Sequence, residues 1–295
     1  MPSREVAEQW SAARPSLAAA VPQPRVEATQ SNTALALVWA GIASTLHRVQ
    51  RGEGALPAVN LSLVALLGSG QPNPLASILI SGLAIGLMYA VNDLIDAPTD
   101  SNNPKKDLAL VSTYLAHARV ATVALVVLHL AAVGWALLAL GPRAAAAVAG
   151  VMVVNLVYST VLKGVPVIDV VWCGLWGALY AAIVEPAPGL LLLVGLMTAV
   201  CHLYQALDDR ASDAANAITT TAVRSPTLSR NVLAALSALL FLALYPTLGL
   251  VWALTAFTPL AIYFACDRPH VAWLLTKAYF GVMWLSVLGI ARAAD

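Results

Sequence analysis

The sequence predicts an all-α membrane protein of about nine transmembrane helices, and three observations predict it. Of its 295 residues 60% are hydrophobic and only 11% charged, whereas a soluble domain carries about 25% charged residues. Nine stretches match or approach the roughly 20 apolar residues that a helix needs to cross a bilayer. With the N-terminus in the cytoplasm, 13 of the 16 lysines and arginines then fall on the cytoplasmic side, leaving Arg143 and Arg292 outside and Lys277 within the last span. That asymmetry is what the positive-inside rule asks for.

Taken in order, residues 1–32 read as a flexible tail ahead of a multi-span domain over 33–295. The tail mixes both charge signs with proline and alanine and has no apolar core behind a basic start, so it does not resemble a secretory signal. Residues 33–47 are apolar and helical in character, and read as an interfacial helix. Spans are centred on 54–70, 75–96, 115–140, 144–162, 166–184, 188–208, 229–247, 249–266 and 271–291. The first is short, with a soft Gly68-Ser69-Gly70 end. External links such as LGPR and EPAPG are short and nearly uncharged. Two cytoplasmic connections, about 97–114 and 209–228, are longer, and long connections in a compact protein are more often functional than accidental.

The composition also excludes. A formal net charge of +1 offers no basic face for nucleic acid. Cys173, Cys201 and Cys266 lie far apart in apolar stretches without CxxC pairing, which argues against a zinc site or a disulfide framework.

Both long connections open on an acidic cluster. The second span ends in Asn92-Asp93-Leu94-Ile95-Asp96-Ala97-Pro98-Thr99-Asp100. Steps of three and four return to one helix face, so Asn92, Asp96 and Asp100, with Asp93, converge on a stripe that Pro98 could loosen at its last turn. The sixth span ends in Gln205-Ala206-Leu207-Asp208-Asp209-Arg210-Ala211-Ser212-Asp213. Without gaps, Gln205 matches Asn92, Asp209 matches Asp96, Asp213 matches Asp100 and Asn216 matches Asn103. The pattern is an internal repeat in which spans 5–7 echo spans 1–3. Carboxylates packed so closely resist joint ionisation, so a cation is needed to hold them. Donors that are all oxygen, with no His or Cys, favour a hard ion, and no EF-hand loop is present. Mg²⁺ suits two such clusters, because it takes one or two carboxylates and completes its shell with water and phosphate oxygens. A diphosphate held by Mg²⁺ also needs fixed cations. Lys105, Lys106, Lys163, Arg210 and Arg224 lie on the same side as the acids. Each alone reads as a positive-inside anchor; together, at least two are expected to touch phosphate.

At these residues the sequence resembles the UbiA superfamily of intramembrane prenyltransferases, which includes terpene cyclases. The first cluster fits the family's NDxxDxxxD motif. Asp209 and Asp213 fit its second DxxxD motif, and Ala217-Ile218-Thr219-Thr220-Thr221 resembles the G-I-x-T continuation with alanine for glycine. Tyr158-Ser159-Thr160-Val161-Leu162-Lys163 resembles a YSxxLK segment, and Pro166-Val167-Ile168-Asp169 the P-x-x-D that follows it. The matches spread over about residues 45–290. The resemblance implies helices around a central cavity, open laterally to lipid and covered by cytoplasmic cap loops, in a bacterial or archaeal plasma membrane with the active site toward the cytoplasm. It implies Mg²⁺ and an isoprenyl diphosphate held by Asn92, Asp93, Asp96, Asp100, Asp209 and Asp213, with Lys105, Tyr158, Ser159 and Lys163 touching the diphosphate. One departure concerns the acceptor: after Asn103-Pro104-Lys105-Lys106 the family commonly has Arg-Pro and then Gly, and here Asp107-Leu108-Ala109 follows.

The chemistry expected is ionisation of the allylic C–O bond, with charge on the departing diphosphate stabilised by metal and basic groups. Asp96 and Asp209 are the acids on which turnover should depend most. Capture by a small aromatic or lipophilic acceptor makes a prenyltransferase, the leading reading; capture within the same chain makes a terpene cyclase, the second. An ion-coupled transporter is a distant third, because the acids cluster at cytoplasmic helix ends rather than near the midplane. Trp172, Trp176, Tyr180 and Tyr204 are read first as packing and only then as a cation cradle. His129 and Asn155 are read as hydrogen-bonded between helices. His202 shares a helical face with Asp209, and Asp169 is a helix N-cap, an orienter of Lys163, or a base for the acceptor.

Overall fold

The computed structural model describes residues 41–42, 45–46, 48, 54–67, 73–101 and 106–294. The chain divides into two units, Met1–Asn32 and Thr33–Asp295, and every described residue belongs to the second. The expected N-terminal tail lies outside the described residues, as do most of the expected interfacial helix and the Gly68-Ser69-Gly70 end of the first span.

Among the described residues every regular element is helical. They are α1 (Ala55–Leu67), α2 (Pro74–Asp100), α3 (Leu108–Ala116), α4 (Ala118–Leu140) and α5 (Pro142–Val157), which runs into a π turn, Tyr158–Leu162. Then come α6 (Ile168–Ala181), α7 (Pro188–Asp208), the short α8 (Arg210–Ala215) and α9 (Thr221–Arg224), α10 (Pro226–Leu254), α11 (Thr258–Ala265) and α12 (Pro269–Ala294). Proline opens α2, α5, α7 and α10, where its missing N–H and preset φ cost nothing. Asn73 and Ser225 cap two of these helices by accepting from Ala76 N at 3.0 Å and Leu228 N at 2.9 Å. Gly141, with φ +93°, turns α4 into α5.

Among the described residues six helical runs are long and apolar enough to cross a membrane, so length and composition alone do not reproduce nine. Two predicted spans, 54–70 and 166–184, hold helices of 13 and 14 described residues, Ala55–Leu67 and Ile168–Ala181, about 20 Å long against a hydrocarbon core of about 30 Å. Two more, 229–247 and 249–266, merge into the 40-residue run Pro226–Ala265. Gly249 breaks that run (φ +73°, ψ 174°), a conformation open to glycine and strained for residues with a Cβ.

The core is shared by α1, α2, α4, α5, α6, α7, α10 and α12, with Ile80, Val148, Tyr180, Leu203, Leu240 and Leu288 fully enclosed. Asn60 ties three helices together, its amide donating to Ser81 Oγ at 3.2 Å and to the Tyr180 carbonyl at 3.0 Å. Outward faces are apolar instead of charged: Leu138 is 87% exposed and Val251 78%. Burying such a surface requires lipid. The packing between α6 and α7 is close because Gly174, Gly177 and Gly195 lie at their contact, as membrane helix pairs require.

Candidate active site

The helix α2 runs unbroken through Pro98 to Asp100, so Asn92, Asp96 and Asp100 share one stripe. Each has its own partner. Ser159 Oγ donates to Asn92 Oδ1 at 2.6 Å, Lys163 Nζ donates to Asp96 Oδ2 at 2.7 Å, and Lys106 Nζ lies 2.9 Å from Asp100 Oδ2. Ser159 and Lys163 are themselves four apart, and the π turn holds them there: Lys163 N donates to the Tyr158 carbonyl, five residues back, at 2.7 Å. Such wide turns recur at functional sites. Two rows of four-residue spacing are thus zipped side by side. Asp93 faces another way and pairs with Arg48 at 2.5 Å, whose guanidinium also sits 4.5 Å over the Tyr89 ring. Burial, and then the Asp93 charge, push the nearby Tyr114 hydroxyl up to about 12.

The second cluster follows the same geometry with one interruption. Asp209 (φ −86°, ψ 0°) separates α7 from α8. Helical register survives it, since Asp209 N donates to the Gln205 carbonyl and Asp213 N to the Asp209 carbonyl, both at 2.9 Å. Gln205, Asp209 and Asp213 therefore share a face. Burial, and next the neighbouring Asp209 charge, push the Asp213 carboxyl up to about 6. Thr220 Oγ1 reaches Asp213 Oδ2 at 3.5 Å.

Both clusters line one cavity of about 620 Å³, within the usual size of a small-ligand pocket. Of the residues singled out in the sequence, Asn92, Asp93, Asp96, Asp100, Lys106, Tyr158, Ser159, Lys163, Asp209 and Asp213 line it. Lys105 lies outside the described residues. Arg210, Arg224 and Asp169 do not line the cavity. Asp169 is fully enclosed, neither caps α6, whose N-cap is Val167, nor pairs with Lys163. Its Oδ2 accepts from Thr221 N at 2.8 Å, and its Oδ1 accepts from Val170 N at 2.9 Å and from the Thr221 hydroxyl. It fastens α9 to the start of α6. Trp172 and Trp176 line the cavity, while the Tyr180 and Tyr204 hydroxyls donate to the Ser81 and Pro259 carbonyls and serve packing. Asn155 does bridge helices, donating to the Met88 carbonyl at 3.3 Å; His129 instead bonds the Leu125 carbonyl of its own helix. His202 lines the cavity with Nε2 3.4 Å from the Tyr158 hydroxyl.

Sequence reasoning missed Arg48, because no spacing ties it to a carboxylate 45 positions away. It also passed over Lys277, which lines the cavity and carried a legible signal as a charged residue inside a span.

The donor set suits a metal that arrives with its substrate. Among the described residues no three His, Cys, Asp or Glu side chains gather as a ready ligand set, because the first row's carboxylates turn to Lys163, Arg48 and Lys106. The donors are all oxygen, which fits Mg²⁺ completed by phosphate oxygens better than a closed protein cage.

The sequence matches the model of the UbiA prenyltransferase family over residues 55–280. Among solved structures, the fold is similar to that of a UbiA homolog from Archaeoglobus fulgidus bound to DMAPP and Mg²⁺. The TM-score is 0.58 at 20% identity, covering 81% of this chain and 97% of that one. The same homolog bound to GPP and Mg²⁺ matches with a TM-score of 0.57 at 18% identity, covering 82% of this chain and 98% of that one. No curated protein matches the sequence.

Proposed function

The chain belongs to the UbiA prenyltransferase family, and from that premise we propose that it ionises an isoprenyl diphosphate at the mouth of the cavity and transfers the prenyl group to a small lipophilic or aromatic acceptor. It is an integral, multi-pass membrane protein, by family and by the six long apolar helices among its described residues. The observation that carries the reading is that two rows of acids, with the Asp96–Lys163 pair at 2.7 Å between them, open on a single cavity. The Archaeoglobus homolog's bound DMAPP, GPP and Mg²⁺ support the same class of substrate here.

Asn92, Asp93, Asp96, Asp100, Asp209 and Asp213 would hold Mg²⁺, which when bound neutralises charge developing on the departing diphosphate. Lys163, Lys106 and Arg48 bring their ammonium and guanidinium groups to phosphate oxygens once those oxygens enter the rim. Tyr158 and Ser159, on the π turn, line the same cavity and would turn their hydroxyl groups to the diphosphate. Trp172 and Trp176 line the wall beyond, excluding water and offering ring faces to the allylic cation. The rim faces the cytoplasm in this reading, as the lysine and arginine distribution supports.

The test is a product assay. Protein in liposomes receives Mg²⁺ with geranyl, farnesyl or geranylgeranyl diphosphate, first alone and then with a panel of aromatic acceptors. Mg²⁺-dependent prenylated acceptor, lost in Asp96→Ala, is the expected result. A cyclic hydrocarbon formed without acceptor would replace transfer by terpene cyclisation.

A further inference from the structure

One base in the cavity wall has no part in the two acidic rows. Among the described residues His202 is the one histidine that lines the cavity. It lies seven residues before Asp209 on α7, nearly two helical turns, so it shares that face about 10 Å deeper. Its Nε2 is 3.4 Å from the Tyr158 hydroxyl, and the two rings meet edge to face, with centres 5.7 Å apart and planes at 88°. Neither α5 nor its π turn packs closely on α7, so this polar pair spans the gap between two helices. The other ring nitrogen, Nδ1, has no hydrogen-bond partner among the described residues.

Ionisation of an allylic diphosphate leaves a cation. A prenylated acceptor or a hydrocarbon is reached from it only by losing a proton, from carbon or from the acceptor's hydroxyl. The cavity's carboxylates stand elsewhere: on the last turns of α2, around the junction of α7 with α8, and, as Asp107, at the cap of α3. Below them the wall offers an imidazole, the side chain best matched to proton uptake near neutral pH. We propose that His202 is the proton acceptor of the reaction, for transfer and cyclisation alike, and that Tyr158 connects it to the leaving group. The C–H or O–H bond breaks, its electron pair completes the product, and the proton goes to Nδ1. Nε2 then passes its own proton to the Tyr158 oxygen as the Tyr158 hydroxyl gives one to an oxygen of the departing diphosphate. The electron pair of the prenyl C–O bond has left with that diphosphate, so one proton leaves the organic product and one arrives on the leaving group. The inference rests on the ionisation reading above.

The test is a product analysis of the full-length protein in liposomes with Mg²⁺ and geranyl diphosphate, with and without 1-naphthol, after subtraction of the Asp96→Ala background. Released diphosphate is measured. Carbon products are sorted into those formed by proton loss, hydrocarbons and geranylated naphthol, and those formed by water capture, geraniol and linalool. His202→Phe keeps a ring without a basic nitrogen, and His202→Gln keeps a hydrogen-bonding partner for Tyr158 without one. In both, the ratio of proton-loss to water-capture products should fall at least tenfold from wild type. Diphosphate release should slow, because the relay ends on the leaving group, yet stay above background. A ratio within threefold of wild type in His202→Gln overturns the inference, and a fall confined to His202→Phe then leaves the ring as a support for Tyr158. Wild type that makes chiefly alcohols overturns it as well. So does loss of all release in variants with unchanged circular dichroism, which would assign the ring to ionisation itself. Release by wild type no faster than by Asp96→Ala, with naphthol or without, overturns the proposed function, and the inference falls with it.

Discussion

At the scale of single residues, charge pairing decides what each side chain is for. Lys163 is held against Asp96 in the free protein, so it is already placed where phosphate oxygens would displace the carboxylate. Lys163→Ala should lower kcat by about 10²–10³, the usual cost of removing one donor to a developing anion, with circular dichroism unchanged; loss of less than threefold would remove it from the site. Asp169 predicts the opposite pattern. It accepts three hydrogen bonds away from the cavity, so Asp169→Ala leaves buried donors without partners at roughly 1–3 kcal/mol each. Thermal unfolding in detergent should show a marked fall in Tm, and activity at low temperature should survive in whatever fraction stays folded. Abolished turnover at unchanged Tm would return Asp169 to a catalytic role.

Among the elements, the contact of α6 with α7 carries the site. The second acidic row hangs from the end of α7, and α7 approaches α6 closely because glycines leave room. A Cβ at Gly177 would lie 2.2 Å from Thr198 Oγ1 and 2.6 Å from Thr198 Cβ, too near to be relieved by a rotamer change. Gly177→Ala should therefore destabilise by about 1–3 kcal/mol, read as a drop in Tm. Adding Thr198→Gly should recover most of the loss, because it removes those atoms; no recovery would show that some other contact sets the helix separation. The π turn after α5 is the other element with a clear task, since it puts Ser159 and Lys163 in step with Asn92 and Asp96.

For the whole molecule, the ends of the helices define two faces. At one, Arg143 Nη1 donates to the Ala182 carbonyl at 3.0 Å, joining the α4–α5 turn to the link after α6. At the other lie the acidic rows. If that second face is cytoplasmic, Arg143→Cys in a background lacking Cys173, Cys201 and Cys266 should react with an impermeant maleimide on intact cells. Arg210→Cys should react only after permeabilisation, and the reverse pattern would invert the topology. Metal dependence belongs to this scale too, because both halves of the repeat supply acids. EDTA should abolish turnover without changing helix content, and excess Mg²⁺ should restore it.

Much of this was legible in the sequence, and the reason is local. Four-residue spacing on a helix places side chains on one stripe whatever surrounds it, so Asn92-xxx-Asp96-xxx-Asp100 and Asp209-xxx-Asp213 declared the two rows. Mean composition and the distribution of lysine and arginine likewise declared a membrane protein, since the bilayer penalises charge residue by residue. Partners across the fold had no such signature. That Arg48 meets Asp93, that Asp169 is used up on Thr221, that Arg210 and Arg224 stay out of the cavity while Lys277 enters it are matters of how helices rotate and cross. Helix length was also decided there: short α1 and α6 are stabilised by their neighbours, and Gly249 folds one apolar run in two. The sequence alone determined the chemistry at each helix end, because that depends on neighbours three and four positions away. Only the tertiary structure decided which ends face one another, because that depends on packing between segments far apart in the chain.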